Sequence, residues 1–156
     1  MIEELPDQIP GTIETVHACN EEETWTLMFD GTPLNPQGGA GVVLTDSHER
    51  NMSFMFRLDF SCTNNEAEYE ALMLGLKMDQ EVGIKKLHVK GDSNLIIQQI
   101  QGGYSTKERS LDLYREQVWR MMKVFDKISF EHVPQIENKH ADALATLESR
   151  VTIQNG

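Results

Sequence analysis

Cysteine is nearly absent from this chain, and its scarcity excludes two architectures. Cys19 and Cys62 are the only two cysteines in 156 residues, too few for a disulfide scaffold or a four-cysteine zinc site. Both are expected as free thiols in a reducing compartment. Long apolar runs are missing too: nothing approaches the roughly 20 residues of a membrane-spanning helix, and the N-terminus lacks a basic-then-apolar leader pattern. The expectation is a soluble intracellular protein, cytoplasmic or nuclear, with no membrane partner. Basic residues are scarce as well, with Lys+Arg 14 against Asp+Glu 25 and a net charge of −11. Taken as a total, that charge argues against nucleic acid, which calls for a basic surface. The distribution weakens the objection. Residues 1–23 hold seven acids and no lysine or arginine, which leaves −4 for the remaining 133 residues. Two divalent cations held by four carboxylates would bring that part close to neutrality.

What is present organises into one domain. Hydrophobic residues make up 39%, enough for the core of a chain of this size. Residues 1–23, with Pro6, Pro10, Gly11 and the Glu21-Glu22-Glu23 run, read as an acidic, disordered linker or tail. Trp25, Leu27 and Phe29 alternate with smaller or polar residues and predict a first strand, ended by Asp30-Gly31. Val42-Val43-Leu44 predicts a second strand, and Asp46-Ser47-His48-Glu49 a hairpin turn. Met52, Phe54, Phe56 and Leu58 alternate in a third. A helix follows over 66–82, with Ala67, Ala71, Leu74 and Met78 as its apolar stripe, widened by Leu72 and Leu76, and Gly83 at its end. Thr63 with Glu66 fits a capping box, and so does Asn65 with Glu68. Residues 86–90 predict a fourth strand, 94–100 a helix capped by Ser93, and Ser110 the cap of a longer helix with Leu111, Tyr114, Val118 and Phe125 on one face. Residues 128–133 predict a fifth strand, and Asn138 opens a final helix to about residue 147. Right-handed crossovers make strands one, four and five parallel, while strands two and three extend the sheet antiparallel. The fold class is α/β: a five-stranded mixed sheet, order 3-2-1-4-5, with helices on both faces.

That topology gathers acids. Ligands of an open α/β sheet collect beyond the C-terminal ends of its parallel strands, where Asp30 ends strand one and Asp92 ends strand four. Glu68 sits in the first turn of the helix between strands three and four, and Asp142 one turn into the last helix. Taken singly each has a plainer role: Asp30-Gly31 as a turn, Asp92-Ser93 as a helix cap, Glu68 as an acid favoured by the helix dipole, Asp142 as a solvated side chain. Four carboxylates at one point repel unless divalent cations bind them. A site of oxygen ligands with open positions suits Mg²⁺ or Mn²⁺.

Asp30-Gly31-Thr32, Gly39-Ala40-Gly41, Thr63-Asn64-Asn65-Glu66-Ala67-Glu68, Gly91-Asp92-Ser93 and Asn138-x-x-Ala141-Asp142-Ala143-Leu144-Ala145 together resemble the type-one ribonuclease H family, in order over residues 24–148. Glu68-Tyr69-x-Ala71-Leu72-x-x-Gly75-Leu76 and His132-Val133-Pro134-x-x-Glu137-Asn138 resemble its archaeal-like branch, found beside reverse transcriptase in plant gypsy-type retrotransposon polyproteins. Residues 1–23 are similar to the linker that precedes that domain, and 149–156 would form a C-terminal tail. The resemblance implies that Asp30, Glu68, Asp92 and Asp142 hold two Mg²⁺ ions, with Mn²⁺ as a substitute. It implies cleavage of the RNA strand of an RNA–DNA hybrid, leaving 5′-phosphate and 3′-hydroxyl ends. His132 matches a mobile histidine linked to turnover. Thr63 matches part of a pocket for a DNA-strand phosphate, and Asn64 and Asn65 match minor-groove contacts; Gly31, Thr32, Ser93 and Asn138 complete the implied substrate-binding set. The implied partners are the hybrid and the reverse transcriptase and integrase portions of a polyprotein.

One departure from the family is legible. Cellular bacterial members carry a long basic insertion after the second helix, whereas residues 101–108 here contain one lysine, Lys107. The alternative reading is therefore a catalytically weak or inactive retroelement-derived module that binds nucleic acid or protein.

Overall fold

A computed structural model describes residues 23–33, 38–60, 62–102, 109–141 and 143. Strand β1 (Thr24–Thr32) is central. On one side it pairs antiparallel with β2 (Gly38–Thr45), which pairs antiparallel with β3 (Asn51–Leu58). On the other it runs parallel to β4 (Lys86–Gly91), and β4 parallel to β5 (Lys127–His132). The order is β3-β2-β1-β4-β5, as the crossover argument requires. Helix α1 (Asn64–Val82) follows β3, α2 (Asn94–Gln101) follows β4, and α3 (Arg109–Met122) precedes β5. A 3₁₀ turn, Gln135–Asn138, comes after β5.

The alternation of β1 directs Trp25, Leu27 and Phe29 into the core beneath α1, together with Leu72, Leu76, Leu87 and Val89. Two close approaches fix how α1 lies on β1. A Cβ on Gly31 would stand 2.1 Å from the Ala67 carbonyl oxygen, and one on Gly75 would stand 2.9 Å from Leu27 Cδ1. Four strand residues span roughly 13 Å and eight helical residues roughly 12 Å, so α1 runs antiparallel along β1 with its N-terminus over the strand's end. Small residues at the crossings let helix and sheet backbones approach closely.

The junction before α1 is an N-terminus with both reciprocal hydrogen bonds. Glu66 N–H donates to Thr63 Oγ1 at 3.2 Å and Thr63 N–H donates to Glu66 Oε1 at 2.9 Å. Of the two possible boxes, the Thr63 one forms. Gly83 closes the helix in a left-handed conformation, φ 95°, where residues other than glycine are strained. At the β2–β3 hairpin, Asp46 accepts from the His48 and Arg50 backbone N–H groups and from Arg50 Nε. These bonds hold its carboxyl below the usual carboxylate range.

Four local expectations shift. The buried stripe of α1 runs through Ala67, Glu68, Ala71, Leu72, Gly75, Leu76 and Asp79, while Leu74 and Met78 are half-buried; flanking α3 as well as the sheet turns the stripe. Glu68 lies in the second turn rather than the first, because the helix begins at Asn64. Ser110 lies inside α3, which begins at Arg109. Asn138 ends the 3₁₀ turn instead of opening a helix, and helical residues resume at Lys139. The last helix beyond that point falls largely outside the described residues, as do residues 1–22 of the expected 1–23 tail and the expected tail 149–156. No helix among the described residues is long and apolar enough to cross a membrane.

Candidate active site

Three acids from three elements meet where the sequence argument placed them. Asp30 extends from β1, Glu68 from α1 and Asp92 from the residue after β4, each offering an oxygen within 4.8 Å of the others. Asp30 and Glu68 are buried and Asp92 is half-buried. Asp142 lies outside the described residues. The convergence has a backbone cause. Pairing of β1 with β4 stops at Met28–Lys90, whereas pairing of β1 with β2 continues to Thr32–Gly39. Past Met28 the parallel strands part, and the two aspartates flank the opening.

Glu68 is oriented by the main chain: Gly31 N–H donates to its Oε1 at 2.9 Å. Its pKa is raised to about 7, first by burial and then by the negative charge of Asp92, against the lowering effect of hydrogen bonds with Asp30 and the Gly31 N–H. Three anions in this little space are costly, and Glu68 lessens the cost by holding a proton near neutrality. A donor set of carboxylate oxygens only, preformed and open to one side, fits a hard divalent cation, which would displace that proton.

The other expected residues divide by what their polar atoms already do. Ser93 Oγ caps α2, accepting from Ile96 N–H at 3.3 Å. The Thr63 hydroxyl serves the α1 cap. Asn64 is exposed and Asn65 half-buried in the opening turn, on the helix end that overlies Gly31. Thr32 ends β1 opposite Gly39. His132 is exposed at the end of β5, paired with Gly91 immediately before Asp92, so it stands at the same sheet edge. Asn138 is fully buried; its Nδ2 donates to the Phe29 carbonyl at 2.8 Å and to Asp92 Oδ2 at 3.1 Å. Sequence reading could place Asn138 near the strand ends but gave no sign that its amide is engaged within the protein. It also gave no sign of the Phe29 carbonyl, since backbone groups leave no trace in a motif.

Comparison with known proteins agrees with this geometry. Residues 28–148 match the family model described as "Reverse transcriptase-like". Ribonuclease HI of Halobacterium salinarum is 37% identical over 83 residues, covering 53% of this chain and 42% of that protein. The chain thus spans less than half the length of that curated relative. The crystal structure of RNase H1 from the same archaeon superposes with a TM-score of 0.77 at 29% identity, covering 81% of this chain and 98% of that one. LC11-RNase H1 in complex with an RNA/DNA hybrid superposes with a TM-score of 0.70 at 30% identity, covering 78% and 94%. The chain belongs to the reverse transcriptase-like family and carries the ribonuclease H fold.

Proposed function

We propose that this chain is a metal-dependent endonuclease that hydrolyses the RNA strand of RNA–DNA hybrids, leaving 5′-phosphate and 3′-hydroxyl ends. The observation that carries the reading is the meeting of Asp30, Glu68 and Asp92 within 4.8 Å beneath the polar N-terminus of α1. Likeness to ribonucleases H, one of them solved with an RNA/DNA hybrid, supports it. Asp30, Glu68, Asp92 and Asp142 would hold two Mg²⁺ ions, with Mn²⁺ able to replace them. Held there, such ions would supply water activation and charge stabilisation on a leaving oxygen for phosphoryl transfer.

The chain's own groups supply the rest. Gly31 N–H keeps Glu68 aimed at the cluster, and the buried floor of β1 keeps the carboxylates from swinging apart. Thr63, Asn64 and Asn65 would engage the hybrid, with Gly31 and Thr32 beneath them. Amide side chains carry donor and acceptor together, which suits the 2′-hydroxyls of a wide, shallow minor groove. The exposed His132 would exchange protons with departing product. The working unit is residues 24–148, preceded by an acidic linker, within the reverse-transcription machinery of a retroelement and inside the cell.

The test is cleavage of an end-labelled hybrid with Mg²⁺ or Mn²⁺, with Asp92→Asn as control. Metal-dependent cutting of the RNA strand alone, lost in Asp92→Asn, is expected. An intact hybrid at high enzyme concentration would overturn the reading and favour the non-catalytic module.

A further inference from the structure

We infer that Asn138 is a positioning residue: its side-chain amide ties the end of β1 to Asp92 and so sets the spacing of the acidic cluster. Three features of the strand ends carry this role. First, β1 and β4 stop pairing at Met28–Lys90, so beyond that level no ladder holds the strand that bears Asp30 against the loop that bears Asp92. Second, Asn138 Nδ2 reaches across that opening and donates both to the Phe29 carbonyl, at 2.8 Å, and to Asp92 Oδ2, at 3.1 Å. Phe29 directly precedes Asp30. One amide group therefore takes the place of a further rung, with one hydrogen on the backbone of β1 and the other on the Asp92 carboxylate. Third, Asn138 is 0% exposed, and a buried amide between two acceptors has no freedom to turn toward a substrate.

The chemistry explains why the residue is asparagine. Two acceptors face it, so two N–H donors on one planar group are needed. Aspartate would set a third acceptor against them, and alanine would leave the Phe29 carbonyl buried without a donor. The surrounding fold holds the amide in turn: Val133 N–H donates to the Gly91 carbonyl at 2.9 Å, which carries the chain from β5 across the end of β4 and delivers the 3₁₀ turn to this spot. The Oδ1 atom is buried with no partner among the described residues. Among the described residues the amide is held through its nitrogen, which meets both acceptors.

The role deepens the proposed function, but it is tested first on metal-free protein, so the two readings fail separately. In wild-type protein the Asn138 side-chain amide hydrogens should exchange slowly with solvent, and three-bond couplings should report one Asp92 χ1 rotamer. In Asn138→Ala that rotamer should become averaged while the amide spectrum of the remaining core is unchanged. An Asp92 rotamer that stays single in Asn138→Ala overturns the inference, whatever the chain's activity. Calorimetric titration with Mn²⁺ supplies the second readout. Second-layer partners of metal ligands typically alter affinity by about 10–100-fold, so Asn138→Ala should weaken Mn²⁺ binding within that range with hybrid KM little changed. Asn138→Asp should weaken it further. A raised KM with unaltered Mn²⁺ affinity would instead make Asn138 a substrate contact and overturn the positioning role.

Discussion

The backbone N–H of Gly31 donates to Glu68 Oε1 at 2.9 Å across a separation of 37 residues. This contact fastens α1 to the end of β1 at the point where the acids gather. It forms only because the helix backbone passes within reach of a residue that has no side chain.

Gly31→Ala should therefore damage fold and site together. The added Cβ would lie 2.1 Å from a backbone oxygen, which cannot rotate away, so α1 must lift. Overpacking of this kind typically costs about 1–3 kcal/mol. Urea unfolding should show that loss, and cleavage should fall below detection. A variant of wild-type stability would refute the close approach.

Metal binding should release a proton near neutrality. Burial and Asp92 raise Glu68 to about 7, so below that pH the free site is protonated and an incoming cation must expel the proton. Apparent Mn²⁺ affinity should rise with pH up to about 7 and then level. Titrations in two buffers of different ionisation enthalpy measure the release directly. Glu68→Gln should abolish both the release and metal-dependent turnover.

The start of α1 separates two kinds of polar residue. Thr63→Ala removes the cap and should cost about 1 kcal/mol of stability, read from a thermal or urea midpoint. Asn65→Ala breaks no cap and should leave the midpoint within error, raising hybrid KM with a smaller effect on kcat. Equal KM values for Asn65→Ala and wild type would remove Asn65 from the substrate-binding set.

Asp79 gives a stability prediction remote from the site. It is 0% exposed, and neither carboxylate oxygen has a partner among the described residues. Continuing the Leu27–Gly75 register by two strand residues and one helical turn brings Trp25, whose indole N–H is also buried and unpartnered, to the level of Asp79. Burial raises Asp79 from 3.8 to about 8. As pH rises above about 4 the unfolded chain loses this proton and the folded chain keeps it, so stability declines until pH reaches about 8 and then levels. Each unit of pH in that window costs at most about 1.4 kcal/mol. Asp79→Asn should make the decline shallower, leaving the part below about pH 7 that Glu68 contributes, and should gain on wild type as pH rises, as urea unfolding at pH 5, 7 and 9 would show. Parallel curves for both proteins would mean that Asp79 is not neutral in the fold.

Much of this was written in local sequence. The alternation in Trp25-Thr26-Leu27-Met28-Phe29 fixed which face of β1 is buried, Thr63 and Glu66 specified the helix start, and Gly83 its end. The chain order of strands and helices, with the handedness of crossovers, was enough for the sheet order and for Asp30 beside Asp92. These features depend on neighbours a few residues apart or on a rule of chirality, and both survive in a one-dimensional pattern. Tertiary structure alone decided the rest. It gave Glu68 a backbone donor in Gly31, rotated the buried stripe of α1 far enough to enclose Asp79, and turned Asn138 inward onto Phe29 and Asp92. Each of these depends on distances between backbones far apart in sequence, set by the close approach of α1 to β1 and by the level at which β1 and β4 part.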